Sequence, residues 1–240
     1  MKFLLVLLVF GTCSFTLLGA DKCDCTHFPI RPQACSSVCA ANRLNAAADV
    51  LTSVVGAPDR GIPQELLSRA ECVIIVPGIE NARFIVGAQY GHGFTVCRRE
   101  NGAGWAAPAA IRIEGGSVGF QIGGSQMDLI MLVMSKRGAD KLLSSRFTLG
   151  AEGSVAAGPV GRTDTAQPDA QMHAEILVWS RSQGLFAGMS IEGATLRPDD
   201  QVNQELYGRA VSNEEILTGV VKPTASASRL QGVLNRDFIR

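Results

Sequence analysis

Residues Arg83 to Gly124 read RFIVGAQYGHGFTVCRRENGAGWAAPAAIRIEGGSVGFQIGG, short runs of alternating apolar and polar residues broken by ten glycines. Alternation with period two marks a strand with one face buried. Phe84, Val86 and Ala88 share one side of a first pleat, Phe94 and Val96 one side of the next, and Ile111 and Ile113 one side of a third. Glycine inside a strand costs stability, so its repetition predicts bulges, bends or the close approach of another backbone. The fold class expected is α+β: a glycine-rich, curved antiparallel sheet or partly closed barrel with short helices packed on it.

Upstream, Leu44, Ala47, Ala48, Leu51, Val54 and Val55 recur at helical spacing over 40–55, and Gly56 and Pro58 end the run. Pro63 suits the first turn of a second short helix that carries Leu66 and Leu67 inward, before a strand from Glu71 to Val76. Downstream, DLIMLVM (Asp128 to Met134) is too short to span a membrane and reads as a buried strand. SKRGADKLLSS then predicts a short helix with Leu142 and Leu143 facing inward. Glycine-spaced strands resume over Phe147 to Val160, and a polar loop follows over 161–172. AEILVWS and GLFAGMSIEG, joined by a tight turn, read as a hairpin. DQVNQELYG predicts a helix stopped by Gly208, and Ser212 with Glu215 makes a capping-box signature for the next. Past Lys222-Pro223 the small and polar residues predict a mobile tail over 222–240.

Met1 to Ala20 has one lysine, an apolar run from Phe3 to Phe10 and small residues at Gly19 and Ala20, the layout of a signal peptide cleaved after Ala20. Gly11, Thr12, Cys13, Ser14 and Thr16 interrupt the run, which sets it apart from a retained anchor. The segment before Cys13 is a poor lipoprotein box. Lys2 is the only charge removed, leaving 21 basic and 22 acidic side chains. So even a balance argues against nucleic acid as a partner, which needs a basic face. Six cysteines remain, four of them crowded in 21–39 as Cys23, Cys25, Cys35 and Cys39. With His27 they offer a metal-ligand set, but the spacing matches no common zinc pattern, and an oxidising compartment favours disulfides in a stapled N-terminal extension. Cys72 and Cys97 fall in two predicted strands and are either a third bridge or two buried thiols.

Six pieces occur in one order: GIPQELLSRAECVIIVPG (Gly61 to Gly78), GAQYGHGFTVCR (Gly87 to Arg98), GWAAPAAIRIEGGSVGFQIGG (Gly104 to Gly124), AAGPVGR (Ala156 to Arg162), SQGLFAGMSIEGA (Ser182 to Ala194) and NQELYG (Asn203 to Gly208). Together they resemble the SYLF domain, placed here at 40–221. The resemblance implies a non-catalytic module that associates with phospholipids or an anionic membrane surface, here outside the cytosol, secreted or periplasmic. For eukaryotic relatives it also implies actin or phosphoinositides, but an exported chain does not meet cytosolic actin. Some of those relatives bind phosphoinositides through a basic amphipathic helix. The corresponding helix here carries Arg43 as its one cation, together with Asp49, and is expected to lay its apolar face on the sheet. The densest cations are Lys136, Arg137, Lys141 and Arg146. Arg43, Lys136, Arg137 and Lys141 are the candidate lipid-phosphate contacts.

Two other functions fit parts of the chain. One is an envelope structural or interaction module that holds a protein partner through a sheet edge or the cysteine-rich extension. The other is a serine hydrolase, because Gly115 to Gly119 satisfies G-x-S-x-G with Ser117 as nucleophile. That motif needs a strand-to-helix turn, whereas the following FQIGG is strand-like, and the candidate bases are only His92, expected at a hairpin tip, and His173. No phosphate loop, calcium loop or histidine pair with metal spacing calls for a cofactor or metal. Trp105 and Trp179 are expected in the core or at a sheet rim.

Overall fold

The computed structural model describes residues 32–57, 61–83, 87–99, 104–117, 125–143, 146–159, 173–182, 185–189 and 191–239. The expected leader 1–20, Cys23, Cys25, His27, Phe84, Val86 and the expected loop over 161–172 lie outside them, as does the side chain of Cys35.

Among the described residues, nine strands form one sheet. They are β1 (Cys72–Arg83), β2 (Gly87–Cys97), β3 (Ala109–Ser117), β4 (Ser125–Val133), β5 (Phe147–Thr148), β6 (Val155–Ala157), β7 (Ile176–Ser182), β8 (Leu185–Gly188) and β9 (Thr195–Pro198). Their order is β5-β9-β3-β2-β1-β4-β7-β6, with β8 also on β7, and the sheet curls into a half-barrel. It is mixed rather than wholly antiparallel. The outer edge of β7 is shared: Ile176 to Val178 pair in parallel with β6, and Trp179 to Ser182 pair antiparallel with β8 in the expected hairpin. The connection over 158–175 is long enough to return the chain in the same direction, which a hairpin turn cannot do.

The glycines mark where the sheet bends. Strand β1 shifts register against β2 between Ile75 and Glu80, and against β4 between Val76 and Ile79. Gly78, at φ 59°, sits inside that bulge. An extra unpaired residue there bends the strand and increases its twist.

Both faces of the sheet are covered. Val73, Ile75, Phe94, Val96, Ile130 and Leu132 bury one face, and the alternating Ile74, Val76, Ile113, Met131 and Val133 bury the other. The first face meets α1 (Pro32–Val55), α2 (Gln64–Arg69), α4 (Asp200–Tyr207) and α6 (Ser228–Asp237), and the second meets α3 (Lys136–Leu142) and α5 (Asn213–Leu217). Helix α1 starts eight residues before its expected first turn, at Pro32, whose fixed φ suits that position. Cys35 and Cys39 are therefore on a helix rather than in a separate extension. Leu44, Ala47, Ala48, Leu51 and Val54 supply its buried stripe, as the spacing predicts. Gly208, at φ 70°, ends α4, and the Ser212/Glu215 capping box starts α5. Trp105 and Trp179 are both in the core.

The expected mobile tail is a helix in the core. After a 3-10 turn at Ala225–Ala227, α6 buries Leu230, Val233 and Leu234, and Phe238 follows them. These residues are spaced to share one helix face, so Arg229 and Arg236 elsewhere on the helix do not keep the segment in solvent.

Candidate functional site

The four cations read from the sequence divide into two places. Ser135 caps α3 by accepting the Gly138 N–H at 3.0 Å, and Leu142 is buried on the second face of the sheet. This sets Lys136 and Arg137 outward in the first turn, both exposed. Lys141, one turn on, points back: its Nζ donates to Glu175 at 3.0 Å and to the Glu152 carbonyl. Arg137 reaches the same carboxylate only at 3.7 Å and is 80% exposed, so that pair contributes little stability. Lys141 thus fastens α3 to the start of β7. Arg43, half-buried, is on α1, which covers the other face. It is not part of the same patch.

Two cations that the sequence reading passed over stand beside Lys136. Where β2 ends, Arg98, Arg99, Lys136, Glu71, Asp140 and Thr218 line a cleft of about 230 Å³, and the disulfide-bonded Cys97 is in its wall. Arg98 is held on several sides. Its guanidinium donates to the carbonyls of Ala70 at 2.8 Å, Ser68 at 3.1 Å and Phe238 at 2.7 Å, and lies over the Trp105 ring at 4.5 Å. It joins the C-terminal ends of α2 and α6 to the sheet. Arg99 Nε is closed off from solvent and has no hydrogen-bond partner. The signal in the sequence was CRR at the end of a strand, which is indistinguishable from an ordinary solvated pair.

Cys72 and Cys97 are opposite one another on β1 and β2 and are disulfide-bonded, which decides between the bridge and the two thiols. Cys39 is also disulfide-bonded, to a partner outside the described side chains. Among the described residues no group of metal ligands is present.

His92 is not at a hairpin tip but within β2, opposite Arg112. Ser117 is opposite Gly87 on the same ladder, five rungs away, or about 17 Å along the strand. The next described element after Ser117 is β4, a strand, where a nucleophile elbow requires a helix. His92 Nδ1 instead meets the buried Asp199 carboxylate at 2.7 Å, and Nε2 faces the Tyr90 hydroxyl at 3.0 Å. Asp199 also caps α4, accepting from the Val202 N–H. Burial raises the Asp199 pKa, but the His92 hydrogen bond, the Val202 N–H and the charges of His92 and Arg112 outweigh it, and the net direction is down. Stability from the charged carboxylate is therefore present above the unfolded value near 3.9 and is lost as pH falls through the folded value. Asp199→Asn should cost roughly 1–2 kcal/mol at neutral pH in urea unfolding. That gap should close on acidification; a gap unchanged at acid pH would show that the charge is not responsible.

Residues 114–237 match the family model described as Ysc84, Las17-binding protein actin regulator. The chain belongs to the Ysc84 (SYLF) family. The match ends at Asp237, the last residue of α6, so this SYLF chain carries family sequence through the helix that was expected to be a tail. It is 33% identical over 179 residues to the rat SH3 domain-containing YSC84-like protein 1, covering 74% of this chain and 52% of that protein. The human protein of the same name gives the same identity and coverage. LAS seventeen-binding protein 3 of Saccharomyces cerevisiae is 34% identical over 180 residues, 73% of this chain and 39% of the yeast protein. The SYLF chain thus spans about half or less of the length of these curated relatives. Their names describe binding or regulatory proteins, not enzymes.

Proposed function

We propose that this chain is a non-catalytic phospholipid-binding module that works at a membrane surface after export. The observation that carries the reading is the exposed pair Lys136 and Arg137 on the first turn of α3. Cations so placed attract anionic headgroups without crossing the bilayer, and among the described residues no helix is long and apolar enough to cross it. The leader at 1–20 supports export, which the mass of the secreted protein tests: it should begin at Asp21. Co-sedimentation of the purified protein with neutral and anionic vesicles tests the binding. Anionic vesicles should be required, and salt should weaken the association. Replacing both Lys136 and Arg137 with glutamine should lower affinity roughly thirtyfold, at about 1 kcal/mol per cation. Unchanged binding by that variant would sink the reading.

A second reading, a protein-interaction module, is favoured by the yeast relative's name, which says that it binds LAS seventeen. A defined protein partner held at fixed stoichiometry, with no vesicle association, would establish it over the first.

A further inference from the structure

We infer that Tyr90 is a nucleophilic tyrosine, an acceptor for activated acyl groups, with His92 as its general base and Asp199 as the residue that positions the base. The inference is independent of the membrane reading and uses none of its residues.

The first ground is a chain of hydrogen bonds whose direction the chemistry fixes. Asp199 is buried, accepts from the Val202 N–H, and has a pKa below its ordinary value despite that burial, so it is ionised at neutral pH. An ionised carboxylate only accepts hydrogen bonds. His92 Nδ1, at 2.7 Å from it, therefore carries a proton, and the neutral imidazole turns the Nε2 lone pair to the Tyr90 hydroxyl at 3.0 Å. The phenol proton thus points at a base able to take it. Contacts from nucleophile to base, and from base to an orienting carboxylate, activate a hydroxyl that is otherwise a weak nucleophile.

The second ground is access joined to rigidity. Tyr90 is 45% exposed and Asp199 only 6%, so the chain runs from the interior to a hydroxyl at the surface. Tyr90 and His92 are two residues apart on β2 and share one side of the sheet, with their rings edge-on at 5.0 Å between centroids. The Asp199 N–H donates to the Ala110 carbonyl at 3.0 Å, and the residue caps α4, which fixes its position. The base is therefore in place before an acyl donor arrives.

The third ground is the charge around the hydroxyl. Glu114 on β3 is opposite Tyr90, Arg112 is opposite His92, and Arg197 on β9 is opposite Arg112. Arg112 Nε donates to Glu114 at 2.7 Å, and Arg197 Nε approaches the other oxygen of that carboxylate at 3.5 Å. Two guanidinium groups against one carboxylate leave a positive surplus beside the phenol. Asp199 balances His92 once it takes the proton, so the surplus remains to stabilise charge building on the attacking and acyl oxygens.

In the step itself the Tyr90 proton passes to His92 Nε2 as the phenolic oxygen bonds to the acyl carbon. The bond from that carbon to its leaving group then breaks, and the leaving group departs with the electron pair and takes the proton from Nε2. The product is a tyrosyl ester, and His92 is neutral again.

The test is acetylation of the purified protein with N-acetylimidazole, followed at each tyrosine by peptide mass spectrometry. The chain has two tyrosines, and the second is an internal comparison: Tyr207 donates its hydroxyl to the Pro108 carbonyl, and burial pushes its phenol pKa up. Tyr90 should react about a hundredfold faster than N-acetyltyrosine amide, the low end of what a positioned base supplies, and Tyr207 should stay unmodified. The Tyr90 rate should level off once the imidazole is neutral, whereas that of the free amide keeps rising toward the phenol range at about 10. His92→Gln keeps an acceptor but not a base, and should remove both the acceleration and the plateau. Asp199→Asn, whose amide can turn the imidazole to its other tautomer, should do the same. Because Asp199→Asn also weakens the fold, the half-buried His92 variant decides. A Tyr90 rate no faster than that of the free amide, or an acceleration and plateau retained in His92→Gln, would overturn the inference.

Discussion

A chain ending at Pro223 should not fold. The deleted segment contributes Leu230, Val233, Leu234 and Phe238 to the core that α1 shares with the sheet, and each is at most 5% exposed. At about 1.5–3 kcal/mol for each side chain taken from water, their loss comes to about 6–12 kcal/mol. The whole stability of a domain is about 5–15 kcal/mol. The deletion also removes the Phe238 carbonyl from Arg98, the Asp237 carbonyl from Gln64, and Gln231, which donates to the Ala106 carbonyl at 2.7 Å. Phe238, packed edge-to-face on Trp105 with ring centroids 5.7 Å apart, is the largest single contribution. Phe238→Ala alone should cost about 3–5 kcal/mol. Circular dichroism and urea unfolding decide the matter. A truncated protein that keeps the parent's cooperative transition would mean that this helix is dispensable, as a mobile tail would be.

What could be read from the sequence was mostly local. The capping box at Ser212 and the stop at Gly208 need only a few neighbouring residues, and both are present. The apolar alternation of Phe94, Val96, Ile111 and Ile113 assigned strands and the faces they bury. The last helix also carried a signal, since Leu230, Val233 and Leu234 have helical spacing, but Ser, Asn and Arg around them lower the mean hydropathy and hide it. The site failed for a different reason. Lys136 and Arg99 are 37 positions apart and line one cleft only because β4 and β2 flank β1, and Arg43 is separated from Lys136 by the thickness of the sheet. Pairing order and face are non-local, so proximity of cations along the chain was a poor guide to proximity in space. The tie of Lys141 to Glu175 depends on the same non-local packing, of α3 against the start of β7.

Gly93→Ala should be among the most damaging single methyl groups in the sheet, at or above the top of the roughly 1–3 kcal/mol typical of overpacking. An added Cβ would stand 2.2 Å from the Ile75 carbonyl oxygen and 2.9 Å from the Val76 Cα. Both are backbone atoms of the neighbouring strand, and they stand at the start of the bulge that bends it. They cannot move aside without breaking the pairing of β1 with β2 on one edge or β4 on the other. Gly91 is the useful comparison, because its nearest neighbour is the Val76 Cγ1 at 2.9 Å, the end of a side chain, and its substitution should cost less. Gly193 has φ 83° and nothing within 4 Å, so alanine there meets only the left-handed backbone penalty of about 1–2 kcal/mol. Urea unfolding of the three variants should rank Gly93 as the most destabilising. Equal losses at Gly93 and Gly193 would show that backbone conformation, not the close approach of two strands, is what these glycines serve, and the explanation of the sheet's curl by interlocked glycine and bulge would fall with it.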